Sequence, residues 1–198
     1  MIRLKQWNGI PTSFSFAIGS DIIKYYRGNG DGWWFGWDAS SQKYLLSNPP
    51  NQHASLVYDG VASTYTITFA DGTKRVFSGT GYLTALIDRN NNQVAIAYDT
   101  SGRIATVTDA ASRAVTFAYT NTSFPTLATS ATDAAGNIAN YTYDTSGRLS
   151  RVAYPDASQY NFMYDSNDLI TSVTDSQSKI VESHSYDTSR RGLTSQRA

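Results

Sequence analysis

A tyrosine recurs at positions 98, 119, 143, 164 and 186, with spacings of 21, 24, 21 and 22 residues. At four of these sites aspartate follows, giving Tyr98-Asp99, Tyr143-Asp144, Tyr164-Asp165 and Tyr186-Asp187. Two run on identically as Tyr-Asp-Thr-Ser-Gly-Arg. A period near twenty residues is one small supersecondary unit, too small to bury its own apolar face, so it must stack on its neighbours. Most of the chain is therefore an array, and an architectural role is expected.

Residue types say what repeats. The acids are fifteen Asp and one Glu. Glu suits helix interiors and Asp suits turns, so this is a chain of turns joined by strands rich in Thr, Tyr, Val and Ile. Within one repeat, residues 149–154 form a strand, Pro155-Asp156-Ala157-Ser158 a turn, and Gln159–Tyr164 a returning strand with Tyr160, Phe162 and Tyr164 on one face. The same alternation runs through Val94, Ile96 and Tyr98, through Val115, Phe117 and Tyr119, through Tyr141 and Tyr143, and through Ile180, Glu182, His184 and Tyr186. The fold class is all-β, an antiparallel meander of hairpins. Laid side by side, the returning strands would align their tyrosines into a cross-strand ladder.

Both rims carry turn chemistry. Asp99-Thr100-Ser101-Gly102 and Asp144-Thr145-Ser146-Gly147 open on aspartate and close on glycine, the preference of a type I turn leading into a glycine bulge. The opposite turns also open on Asp, at Asp88, Asp109, Asp133 and Asp175, and close on a small or left-handed-tolerant residue. One repeat departs: Tyr119 leads into Thr120-Asn121-Thr122-Ser123-Phe124-Pro125 without an aspartate, and a bulge or local disorder is expected there.

The motifs Tyr98-Asp99-Thr100-Ser101-Gly102-Arg103 and Tyr143-Asp144-Thr145-Ser146-Gly147-Arg148, with the recurrent Tyr119, Tyr164-Asp165 and Tyr186-Asp187, resemble the rearrangement-hotspot (Rhs) or YD-repeat family. The resemblance covers residues 65–198 as repeats. Residues 1–64 read as an aromatic-rich lead-in or cap. The resemblance implies a sheet that curves or spirals as part of a hollow β-shell, as in bacterial polymorphic toxins, insecticidal toxin-complex subunits and the animal teneurins. Such shells enclose a toxic cargo polypeptide or present a recognition surface. Bacterial members often end in a self-cleaving module with paired Asp-Pro motifs. This chain has no Asp-Pro dipeptide, so autoproteolysis is not carried over. The sequence stops after Gly192-Leu193-Thr194 without a toxin segment, which reads as an array truncated mid-repeat.

Charge and composition exclude several classes. The formal net charge is +0, and the eleven Arg and five Lys are scattered, so no basic stripe marks a nucleic-acid surface. Cysteine is absent, which removes disulfides and thiolate metal sites. Residues 1–5 are basic, but the polar stretch at 6–20 makes a poor signal core, so no signal peptide is read. No apolar run is long enough to insert in a membrane. The parent protein is expected to be secreted or contact-delivered by an address elsewhere.

Trp33, Trp34 and Trp37 are candidates for stacking on a cell-surface glycan, or for plugging one end of the core, and exposure decides between these. The Gly28-Asn29-Gly30-Asp31-Gly32 and Asp165-Ser166-Asn167-Asp168 segments faintly resemble calcium loops but read as turns, so no metal or cofactor is assigned. The Asp99, Asp144, Asp165 and Asp187 carboxylates repeat along a rim and do not converge as an acid–base pair requires, so no enzyme is expected. The reading is a noncatalytic shell module. The alternative is a carbohydrate- or protein-binding surface module, and exposed sheet edges are expected to favour self-association.

Overall fold

The computed structural model describes residues 13–16, 22–26, 31–50 and 53–197. Residues 1–12 and 17–20 of the N-terminal stretch that lacks a signal core, and Gly28, Asn29 and Gly30 of the calcium-like loop, lie outside the described residues. Among the described residues there are eighteen strands. They are β1 (Ser13–Phe16), β2 (Ile22–Tyr26), β3 (Gly32–Asp38), β4 (Lys43–Asn48), β5 (Ala54–Asp59), β6 (Thr64–Phe69), β7 (Lys74–Ser78), β8 (Leu83–Ile87) and β9 (Gln93–Tyr98). There follow β10 (Ile104–Thr108), β11 (Ala114–Ala118), β12 (Ser130–Thr132), β13 (Ile138–Tyr143), β14 (Leu149–Ala153), β15 (Gln159–Tyr164), β16 (Ile170–Thr174), β17 (Ile180–Tyr186) and β18 (Gly192–Arg197). The chain divides into two compact units, residues up to 97 with 107–112, and residues 98–106 with 113 onward.

In the first unit each strand from β1 to β9 pairs antiparallel with the next in chain order. The meander runs on through residue 64, where Asp59 of β5 faces Thr64 of β6. Alternation sets one apolar face: Ile23 and Tyr25 of β2, and Trp33 and Phe35 of β3, are buried, while Ile22, Tyr26 and Trp34 are exposed. A lone sheet leaves one side of its apolar face bare, yet Tyr25, Phe35, Leu56, Ile67 and Phe77 are each 0% exposed. The face is closed by contact across the unit. Tyr25 packs edge-on against Phe77 with ring centroids 5.8 Å apart, and Trp33 against Phe69 at 5.6 Å, which brings β2 and β3 over β7 and β6. Each such buried side chain stabilises by about 1.5–3 kcal/mol relative to exposure.

The second unit is also an antiparallel meander, from β11 through β18. Here only Val152 and Ala128 are buried apolar residues among those described. Its order rests more on ladder hydrogen bonds, turns and links between repeats than on a core.

The turns follow one plan. At Asp99 the backbone N–H donates to the Arg103 carbonyl at 2.8 Å, and Gly102 N–H donates to the Asp99 carbonyl at 3.0 Å. Gly102 has φ +74°, the left-handed residue of a glycine bulge. Asn91, Ser112, Ala157, Asp168, Ser178 and Arg190 take the equivalent conformation in other turns. The turn expected over residues 155–158 is displaced by one residue. Tyr154 opens it, donating its N–H to the Ser158 carbonyl at 2.9 Å, because Pro155 then takes the second position, where its fixed φ fits. Asp156 falls third and accepts the Ser158 N–H and hydroxyl.

The expected tyrosine ladder does not form by cross-strand pairing. The strands that carry Tyr143, Tyr164 and Tyr186 are β13, β15 and β17, and β14 and β16 run between them. Bulges fall at each of these tyrosines, between Thr142 and Tyr143, Met163 and Tyr164, and Ser185 and Tyr186. A further irregularity at Thr174 breaks the alternation expected in β17, so Ile180 is 53% exposed while Glu182 and His184 are half-buried.

Candidate functional site

The repeated motif builds one link several times over. Each tyrosine hydroxyl donates to a main-chain carbonyl in the preceding hairpin: Tyr119 to Ile104 at 2.8 Å, Tyr143 to Ala128 at 2.7 Å, Tyr164 to Leu149 at 2.8 Å and Tyr186 to Ile170 at 2.8 Å. The rings are half-buried, and burial pushes the phenols of Tyr119, Tyr143 and Tyr164 above their ordinary range. Tyr98, first of the series, ends β9 and is likewise half-buried. Tyr143→Phe is expected to cost about 1 kcal/mol, since it leaves the Ala128 carbonyl without this donor while keeping the ring. Urea denaturation of the two proteins measures it.

The aspartate after the tyrosine holds the turn. One carboxylate oxygen of Asp99 accepts the N–H groups of Ser101 and Arg103, and the other accepts Arg103 Nε at 2.7 Å. Asp144 holds Ser146 and Arg148 in the same way, and Asp187 holds Ser189 and Arg191. Asp165 accepts from Asn167 and Leu169, and Leu169 stands where the other repeats have arginine.

Arginine then crosses to the next repeat. The Arg103 guanidinium lies over the Tyr119 ring at 4.4 Å and donates to the Pro125 carbonyl at 2.6 Å. Arg148 lies over Tyr164 at 4.8 Å and donates to the Asp165 carbonyl at 3.2 Å and to Asp168 Oδ1 at 2.8 Å. The planar guanidinium does three things at once, closing its own turn, covering the next tyrosine and fastening the next turn. Gly147 completes this rim, because Phe124 lies against it: a Cβ there would come within 2.8 Å of the Phe124 ring. The segment at 120–125, where a bulge or disorder was expected, is a fastened loop. Asn121 Oδ1 accepts the N–H groups of Ser123 and Phe124, and Thr120 bonds to Thr129. Neither the reach of Arg148 to Asp168 nor the Phe124 contact has a spacing signal. The repeated Arg103 and Arg148 were the one clue to the links.

These hydrogen bonds hold the turn carboxylates below the ordinary range. The largest cause is the backbone N–H four residues on at Asp99, Asp144, Asp165 and Asp187, and the side-chain amides of Asn92 and Asn137 at Asp88 and Asp133. A carboxyl depressed in the folded state adds stability that is complete above its unfolded pKa, near 4, and is lost as pH falls through that value toward the folded one. The urea midpoint is therefore expected to be flat near neutrality and to fall in step as the pH drops below about 4. A midpoint insensitive to acid would contradict the role given to these turns.

The other candidates separate. Trp33 is 5% exposed and packed on Tyr25 and Phe69, so its ring has no face for a ligand. Trp34 is 41% exposed beneath the Lys24 ammonium at 4.5 Å, and Trp37 is 44% exposed against Tyr44. In the calcium-like stretch 165–168, Asp165 caps its turn and Asp168 is engaged by Arg148. His184 Nε2 lies 3.5 Å from Glu182 Oε1, a polar pair on one strand. No group of three or more His, Asp or Glu among the described residues is placed to hold a metal.

No curated protein matches the sequence. Among solved structures, the chain is similar to the crystal structure of TcdB2-TccC3-Cdc42, at 13% identity over 88% of this chain and 11% of that one, with a TM-score of 0.47. It is similar also to the Photorhabdus luminescens Tc holotoxin pore, at 13% identity over 88% of this chain and 10% of that one, with a TM-score of 0.48. The chain thus spans about a tenth of the length of either. The Teneurin YD-shell family matches residues 51–188, which take in all five tyrosines and both complete Tyr-Asp-Thr-Ser-Gly-Arg motifs. With more than half its length matched and its strands in one antiparallel meander per unit, the chain belongs to the Teneurin YD-shell family.

Proposed function

We propose that this chain is a noncatalytic wall element of an enclosing β-shell in a toxin-like protein, secreted or delivered by contact. The observation that carries the reading is the tyrosine-to-carbonyl bond that ties four successive hairpins each to the one before, reinforced where Arg103 and Arg148 reach the next repeat. Asp99, Asp144 and Asp187 hold their own turns and arginines, and the tyrosine hydroxyls meet main-chain carbonyls, so the repeated polar groups serve structure. The cargo would be a polypeptide lying against the half-buried apolar face of the repeats. Coexpression with the polypeptide encoded beside this chain tests it by limited proteolysis. That polypeptide should survive protease when the chain is present and be digested when it is absent. Equal digestion in both cases overturns enclosure.

Self-association belongs to the same proposal. All six residues of β18 are exposed and the strand pairs with β17, so a second copy can extend the sheet along it. Light scattering over a dilution series should show a mass that rises with concentration, and a constant monomer mass removes this part of the proposal.

A further inference from the structure

Tyr58 of β5 and Tyr65 of β6 stand directly opposite each other, and the turn between them fixes that register. Asp59 Oδ1 accepts the N–H groups of Val61 and Ala62, and Ser63 takes a left-handed φ of +52°. Asp59 then faces Thr64, and the next pair along the ladder is Tyr58 with Tyr65. Their ring centroids are 4.5 Å apart and their planes inclined by 32°. That is the close end of the range of about 4.5–7 Å for aromatic pairs. Another tyrosine pair of the chain, Tyr154 with Tyr160, meets edge-on at 85° with centroids 6.3 Å apart.

Packing across the ladder needs two rings but not two hydroxyls. What a pair of phenols adds is oxidation chemistry. The Tyr58 ring is 46% exposed, so an oxidant in solution reaches it, and the half-buried Tyr65 ring is in contact with it. Burial, with the phenols of Tyr58 and Tyr44 nearby, pushes Tyr65 above its ordinary range, so it carries its proton near neutral pH. The chain has no cysteine, so a disulfide cannot brace this hairpin.

We infer that Tyr58 and Tyr65 are a site of oxidative coupling, at which a one-electron oxidant of the haem peroxidase class joins them as dityrosine and braces the β5–β6 hairpin. Each phenol gives up one electron and its O–H proton. The two phenoxyl radicals bond through the ring carbons next to their C–O carbons. Each of those carbons then loses its hydrogen as a proton, and each oxygen regains one. The net loss is two hydrogen atoms, which reduce one hydrogen peroxide to two waters. Coupling asks for a side-chain adjustment of rings already in contact and for no opening of the ladder. The site lies within the first unit and does not depend on the shell reading.

The test treats the whole chain, at high dilution, with a haem peroxidase and hydrogen peroxide and then isolates the monomer. Proteolysis on the amino side of aspartate cuts before Asp59 and before Asp156, which separates Tyr58 from Tyr65 and Tyr154 from Tyr160. The fragments bearing Tyr58 and Tyr65 should stay joined, with dityrosine fluorescence and a mass two hydrogen atoms below their sum. Those bearing Tyr154 and Tyr160 should come apart. Tyr58→Phe and Tyr65→Phe keep the rings and should each abolish the joined product. Tyr44 shares a fragment with Tyr58, so the Tyr58→Phe result also decides which of the two couples. Treatment should raise the urea midpoint of the chain and not that of Tyr58→Phe, because a cross-link restricts the unfolded state. The inference is overturned if the monomer yields no joined fragments, if Tyr154 and Tyr160 couple to the same extent, or if the product survives Tyr58→Phe. Coupling between copies alone, or a midpoint that treatment leaves unmoved, overturns it equally.

Discussion

Phe77→Ala is expected to lower the unfolding free energy by about 3–5 kcal/mol, the usual cost of deleting a fully buried aromatic ring. The residue is 0% exposed, and its ring is the one that meets Tyr25 across the first unit. Removing it takes away the transfer energy of the ring and leaves a void bordered by β2 and β7, whose backbones are pinned by their own ladders and cannot collapse into it. Val57→Ala offers the contrast: Val57 is 39% exposed on the other face of β5, and its loss should be close to neutral. Urea denaturation of both variants tests the claim. Equal midpoints for the two would mean that the apolar face is not closed as described.

Gly147→Ala is expected to be the most damaging single change in the turns, and Gly136→Ala is its control. Both glycines are left-handed, at φ +79° and +85°, so alanine carries the same backbone penalty at each, about 1 kcal/mol. At Gly136 nothing lies within 4 Å of the added Cβ, whereas at Gly147 the Phe124 ring is at 2.8 Å. The ring belongs to a loop fastened through Asn121 and Pro125, so it cannot simply swing away. Overpacking adds a further 1–3 kcal/mol, roughly, at Gly147 alone. The double variant Gly147→Ala with Phe124→Ala should recover that extra part and keep the backbone penalty. If the two glycine variants are equally destabilised, Phe124 does not occupy the place assigned to it.

Legibility in the sequence followed the range of each interaction. The meander and its turns were readable because strand alternation and the Asp-to-Gly turn pattern are set by residues within five of one another, as at 99–103 and 144–148. The displaced turn at Tyr154 shows the limit of that reading: an aspartate suits the first or the third turn position, and Pro155 decided between them. The tyrosine ladder was misplaced because alternation along a strand does not say which strand lies beside it, and β14 and β16 separate the tyrosine strands. Contacts between residues far apart in the chain left no periodic trace. The Tyr25–Phe77 packing, the Arg148–Asp168 pair and the Phe124–Gly147 contact are of this kind. The tryptophans divided for a related reason: alternation puts Trp33 and Trp37 on the same face of β3, and only the packing of β6 over β3 buries the first while leaving the second open.

The chain-order pairing of strands has a kinetic consequence. In the second unit most strands find their partner across a five-residue connection, so the entropy of loop closure is met in small steps and the hairpins can add one after another. That is a low-barrier route for an all-β protein, and it suits a chain emerging from the ribosome, where each completed hairpin offers an edge to the next. The first unit has in addition to bring Tyr25 to Phe77 across fifty-odd residues of chain, a closure that gains nothing until the intervening strands are in place. Stopped-flow refolding should therefore show the aromatic signal of the first unit, reported by Trp33, arriving after the bulk of the strand signal in circular dichroism.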